Sequence, residues 1–158
     1  MTRRWQFEQS QIIPRPRSEV FAFFADARNL EKLTPDFLGF KILNPGPIEM
    51  APGAIIDYSI RLYGVPMKWK TRIEAFEPED RFVDLQLKGP YRFWRHLHEF
   101  EEVEQGTRMR DRVDYELPLG PLGTVARALF VRRSLERIFR HRRRAVGELF
   151  GNVENPLS

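Results

Sequence analysis

The feature that most constrains this chain is a change of hydrophobic period near residue 118. From Phe40 to Leu117 apolar residues recur at alternate positions, the pattern of strands with one buried face. Strands are expected at 40–43, 54–62, 67–76, 81–88, 92–103 and 107–117, separated by Asn44-Pro45-Gly46-Pro47, Gly64, Pro78, Gly89-Pro90 and Gly106. After Pro118-Leu119-Gly120-Pro121-Leu122-Gly123 the spacing becomes helical. Ala128, Val131, Leu135, Ile138, Ala145 and Leu149 then form one stripe, flanked by Phe139 and Val146 and interrupted by Arg142. Ahead of the strand-rich region, Arg4 to Ile13 reads as a first strand whose apolar phase slips between Trp5/Phe7 and Ile12. Pro16 opens a short helix carrying Val20, Phe21 and Phe24. Asp26 caps a second one, carrying Leu30 and Leu33 and stopped by Pro35.

The turns link the strand faces. A Gly64-Val65 loop sets Tyr58 opposite Thr71 and aligns Tyr58, Ile60 and Leu62 with Met67, Trp69 and Thr71. A three-residue turn at Pro78-Glu79-Asp80 carries that face to Val83, Leu85 and Leu87, and a Gly89-Pro90 loop carries it to Trp94, His96, His98 and Phe100. A Gln105-Gly106 loop continues it to Met109, Asp111, Val113 and Tyr115, with His96 opposite Tyr115, His98 opposite Val113 and Asp111 diagonal to His98. Lys68, Lys70, Arg72, Arg95, Glu99, Arg108, Arg110 and Arg112 fall outside, so a single curved antiparallel meander is expected. One long helix must cover its apolar face.

At 158 residues the chain has the size of one domain, expected over 1–151, with 152–158 as a flexible C-terminal tail. It has no cysteine, which excludes disulfides, thiolate metal sites and a cysteine nucleophile. No apolar run approaches the ~18 residues of a membrane span, and no export signal is legible, so a cytoplasmic location is expected. The net charge of +4 is concentrated: residues 123–150 hold eight Arg against Glu136 and Glu148. Nucleic-acid binding is not expected, because the aromatics that would stack on bases are assigned to the interior. Arg140, Arg142, Arg143 and Arg144 leave room for transient contact with an anionic membrane or a protein, and monomer and homodimer are both open.

The order strand, two short helices, six strands, long helix resembles the helix-grip fold of the START-like, or SRPBCC, superfamily, an α+β fold in which a curved seven-stranded antiparallel sheet wraps a long C-terminal helix. The particular pieces are Asp26-x-x-Asn29-Leu30-Glu31-x-Leu33-Thr34-Pro35, Gly89-Pro90-Tyr91-x-x-Trp94-x-His96-x-His98-x-Phe100, and Gly106-Thr107 leading to Asp111 and Leu117-Pro118-Leu119-Gly120. They are similar to bacterial polyketide cyclase/dehydrase-like ligand-binding proteins. The resemblance implies a cavity between sheet and helix for an apolar or amphipathic small molecule, without a cofactor. Its expected lining is Tyr58, Trp69, Leu85, Trp94, His96, His98, Asp111, Tyr115, Val131, Leu135 and Ile138.

Three functions stay open: a binding or carrier protein for a lipid, polyketide or aromatic molecule, a cyclase/dehydratase-like enzyme in which His96, His98, Asp111 and Tyr115 are the acid–base candidates, and an adaptor whose basic helix docks on a partner. A carboxylate beside an imidazole favours the imidazolium and fixes its tautomer, but such groups also occur as satisfied polar members of a core. His-x-His on a strand is half of a metal site, with Asp111 or Asp84 as the third ligand within reach. The parity above turns Asp84 outward, and no metal is expected. No phosphate loop, nucleophile elbow or HExxH motif is present.

Overall fold

The structure, a computed structural model, describes residues 3–62, 64–117 and 124–153, with only the backbone of 124–126. The Pro118–Gly123 break and residues 154–158 of the expected tail lie outside the described residues. Strand β1 (Arg4–Ile13) is followed by α1 (Arg17–Phe24), a 3₁₀ turn at Ala27–Asn29, α2 (Leu30–Leu33) and a second 3₁₀ turn at Asp36–Leu38. Then come β2 (Lys41–Ile42), β3 (Ile55–Leu62), β4 (Val65–Glu77), β5 (Arg81–Lys88), β6 (Phe93–Val103), β7 (Gly106–Glu116) and α3 (Thr124–Phe150). The seven strands form one antiparallel sheet in the order β1-β7-β6-β5-β4-β3-β2, the expected meander closed by β1.

The local chemistry of the helical segment follows the sequence. Asp26 accepts a hydrogen bond from the Arg28 backbone N–H at 3.0 Å, capping the first 3₁₀ turn. The expected slip in β1 is absent. Phe7 and Ile13 are the buried residues, and the odd positions between them are Gln9 and Gln11, whose amides bond to the backbone carbonyls of Phe139 and Arg143 in α3. Polar side chains on the inner face had disguised the phase.

Two hairpins differ from expectation by a whole two-residue step. Leu62 pairs with Val65, so Tyr58 lies opposite Trp69, not Thr71. Val103 pairs with Gly106, so the last loop is Glu104-Gln105; His98 then stands opposite Asp111, His96 opposite Val113 and Trp94 opposite Tyr115. A two-residue step preserves the face, so the inward side is as expected.

Between β4 and β5 the outcome is different. The Pro78-Glu79-Asp80 turn is present, with Glu77 paired to Arg81, but Glu74 is an extra residue: Ala75 pairs with Val83 and Ile73 with Asp84. This bulge shifts the register by one and exchanges the two faces of β5 relative to expectation, so that Phe82 points inward and Val83 does not. Asp84 therefore faces the interior and Leu85, paired to Arg72 and Arg95, faces out. Leu87 is exposed as well. The β5–β6 connection compensates, because Phe82 pairs with His98 and Asp84 with His96, returning Trp94, His96, His98 and Phe100 to the inner face.

Helix α3 lies against that face through Ala128, Leu135, Phe139, Arg142 and Val146, all buried. Leu149 is exposed; Phe150 makes the terminal contact instead, edge-on to Phe23 with ring centroids 5.0 Å apart. A cluster of Phe21, Phe24, Phe82, Phe100 and Val146 fills one end of the sheet–helix space, and Phe7, Trp94, Tyr115 and Leu135 belong to the core at the other.

Candidate functional site

Between the two cores the sheet and helix separate around a cavity. It offers about 170 Å³ to the centres of water-sized molecules, many times the ~10–15 Å³ that one water needs on that measure. Of the residues expected to line it, Tyr58, Trp69, Trp94, His96, His98, Leu135 and Ile138 do so. Phe24, Ala27, Leu30, Leu33 and Leu38, from α1, α2 and the 3₁₀ turns, bound it from the side. The four other expected residues stand elsewhere. Leu85 is on the outer face because of the bulge, and Val131 packs against the core beside Leu135. Tyr115 is buried among Trp94 and Tyr91, and Asp111 lies behind the histidines.

The aromatic wall is ordered by the register. Tyr58 stacks on Trp69 at 5.6 Å and 20°, and Trp69 meets Trp94 edge-on at 5.4 Å. Trp69 Nε1 is buried with no hydrogen-bond partner among the described residues, a donor that an acceptor on a bound molecule would satisfy.

At the opposite end of this wall lies a charged cluster. His96 and His98 stack at 3.7 Å between ring centroids, and Phe82 covers the other face of His98 at 4.1 Å. Two carboxylates flank the imidazole pair. On the side facing β7, Asp111 Oδ1 lies 2.8 Å from His96 Nε2 and 3.4 Å from His98 Nδ1. On the side facing β5, Asp84 Oδ2 lies 2.7 Å from His98 Nε2 and 4.0 Å from His96 Nδ1. Arg142 descends from α3 and donates from Nη2 to Asp111 Oδ1 at 3.2 Å, while its Nε is buried without a partner among the described residues.

These contacts set the protonation states. Burial works against an Asp111 carboxylate, but the Arg142 charge and the hydrogen bonds of both histidines overcome it and hold the group well below the usual carboxylate range. Burial likewise opposes ionisation of Asp84, and the His98 hydrogen bond with the neighbouring positive charges lowers it overall. For His96, burial and the His98 charge outweigh Asp111 and lower the pKa. For His98, burial is outweighed by the hydrogen bonds to Asp111 and Asp84, and the pKa rises. The two stacked imidazoles are thus shifted in opposite directions, His96 towards the neutral form and His98 towards the charged one.

Asp84 and Arg142 are the members that sequence reasoning placed wrongly or passed over. Arg142 had a legible signal, a lone charge within an apolar helical stripe, at the position where a buried partner is required. Its burial also removes it from the expected basic surface, leaving Arg140, Arg143 and Arg144 exposed there. No described helix is long and apolar enough to cross a membrane.

A family model described as polyketide cyclase / dehydrase and lipid transport matches residues 13–142. No curated protein matches the chain. Among solved structures, the Zhui aromatase/cyclase from Streptomyces sp. R1128 is similar with a TM-score of 0.71 at 16% identity, over 91% of this chain and 92% of that one. Protein CV1439 from Chromobacterium violaceum gives 0.69 at 13% identity, over 94% and 99%. A nucleoside-diphosphate sugar epimerase from Corynebacterium glutamicum gives 0.65 at 24% identity, over 90% of this chain but 28% of that longer one. At these identities the structures testify to the fold.

Proposed function

This chain belongs to the polyketide cyclase/dehydrase and lipid transport family, and from that premise we propose that its cavity binds one hydrophobic or amphipathic small molecule of lipid, polyketide or aromatic type. The apolar body would lie between the Tyr58–Trp69–Trp94 wall and the Leu135 and Ile138 side of α3, with its polar end against Asp84, His96 and His98. The observation that carries this reading is an apolar cavity whose charged groups, Asp84, His96 and His98 from the sheet and Arg142 from α3, gather at one end, an arrangement that fixes a ligand's orientation without covalent chemistry. Native mass spectrometry of the purified protein should show a mass excess that organic extraction removes. The extracted protein should then bind the probe 1-anilinonaphthalene-8-sulfonate, with quenching of tryptophan emission. Ile138→Trp, which fills the cavity, should abolish probe binding while leaving unfolding cooperative; unchanged probe binding in that folded variant rejects the reading.

The His98–Asp84 contact at 2.7 Å favours a second reading, a cyclase/dehydratase-like activity in the same cavity. There His98 would donate a proton to a ligand oxygen and neutral His96 would accept one from carbon. Asp84→Asn distinguishes the two. A binding protein changes affinity for its ligand, whereas an enzyme keeps the ligand and loses turnover.

A further inference from the structure

We propose that Asp84, His96 and His98 form a binding site for a divalent first-row transition-metal ion at the cavity wall. One oxygen of Asp84, one nitrogen of His96 and one of His98 lie within 4.8 Å of one another, and all three residues border the cavity. Two imidazoles and one carboxylate with an open side are the donor set of zinc and non-haem iron centres. The inference rests on the cavity reading for that open side, where water or a ligand oxygen completes the coordination.

The orientation of the rings supplies the second observation. His96 meets Asp111 through Nε2 at 2.8 Å, which leaves Nδ1 as the ring nitrogen on the Asp84 side. That Nδ1 stands 4.0 Å from Asp84 Oδ2, too far for a hydrogen bond, so the pair is not closed on itself. His98 offers Nε2 to the same oxygen at 2.7 Å, where an ion would replace the proton that now joins them.

The distances permit this exchange. Tetrahedral donors about 2.1 Å from a metal are roughly 3.4 Å apart. An ion would open the His98–Asp84 pair by several tenths of an ångström, draw His96 and Asp84 together by a similar amount, and require the two rings, stacked at 27°, to turn until both nitrogens point at it. Behind the rings, Asp111 Oδ1 meets His96 Nε2 and stands 3.4 Å from His98 Nδ1. Ligating histidines commonly hand their distal N–H to such a carboxylate, and Arg142 keeps this one in place. The bulge at Glu74 is what makes the set complete, since without it Leu85 would occupy the third position.

The test is direct. Chelator-treated full-length protein titrated with Co²⁺ should take up one equivalent and develop the visible ligand-field absorption of a site with nitrogen and oxygen donors, and Zn²⁺ should displace it. Asp84→Asn and His98→Ala should each weaken Co²⁺ binding about 100-fold or more, and Asp111→Asn about 10–100-fold. His141→Ala, which removes the third of the chain's three histidines, should change nothing. If His98→Ala does not fold, the wild-type stoichiometry and the near-isosteric Asp84→Asn decide. Uptake well below one equivalent, binding unchanged in Asp84→Asn, or binding lost in His141→Ala overturns the proposal. Retained 1-anilinonaphthalene-8-sulfonate binding with no Co²⁺ uptake would reject the metal site and leave the cavity reading intact.

Discussion

Arg142 Nη2 stands 3.2 Å from Asp111 Oδ1 across the interface between α3 and β7, and both side chains are buried. A buried ion pair gains little over an apolar replacement of both partners, but losing one partner strands the other's charge. Arg142→Met should therefore lower the unfolding free energy by about 3–5 kcal/mol. Adding Asp111→Asn should cost much less than the two single changes sum to. Urea unfolding of the four proteins measures the coupling, and a cost below about 1 kcal/mol for Arg142→Met would show that the pair is not desolvated.

The bulge yields a paired prediction. Leu85 lies on the outer face between Arg72 and Arg95, so Leu85→Glu should alter stability by less than about 1 kcal/mol. Phe82, on the inner face against Phe21 and His98, should cost about 3–5 kcal/mol on replacement by Ala. Reversed magnitudes in denaturant melts would mean that β5 keeps the uninterrupted alternation.

That strand also explains what could be read from residues alone. Turn lengths and alternation give the sheet, because two-residue errors in the β3–β4 and β6–β7 hairpins leave every face unchanged. A one-residue bulge has no such protection. Glu74 carries no glycine or proline to mark it, so Asp84 and Leu85 are exchanged. His96 and His98 come out inward in both accounts only because the connection after Lys88 reverses the parity a second time. Arg142 was legible as an anomaly in the stripe, but its partner lies across the fold on β7 and no local pattern reports it.

Two tyrosines should resist ionisation. Burial, joined by the Asp84 charge, pushes the Tyr58 hydroxyl well above its ordinary value, and burial raises Tyr115 despite Arg132. The unfolded chain ionises these groups near 10, so their contribution to stability is complete below that pH and is lost as pH rises through the higher folded values. Phenolate absorbance should show a late-ionising phase that shrinks in Tyr58→Phe. Four tyrosines titrating together in folded protein would contradict this.

Gly106 begins β7 at φ +141°, where an added Cβ would collide with the Ile13 carbonyl oxygen, the Pro14 Cα and the Arg15 backbone nitrogen. All three are backbone atoms that cannot swing away, so Gly106→Ala should cost about 3 kcal/mol or more. Gly64, at φ +80° with nothing within 4 Å, should cost only about 1–2 kcal/mol on the same change. Thermal melts of the two variants should rank them in that order.

The contacts between β1 and α3 reach beyond the cavity. Arg132 Nη1 donates to the Gln6 carbonyl and Arg143 Nη1 to the Ser10 carbonyl, each at 2.9 Å. Both carbonyls belong to a strand at the end of the sheet, four residues apart on the side that no neighbouring strand occupies. An open strand of this kind is a template on which another chain can add itself. Here the molecule's own guanidinium groups occupy the acceptors, so part of the basic charge of the helix serves as a guard against self-association, and neutralising Arg132 and Arg143 would expose a seam for aggregation.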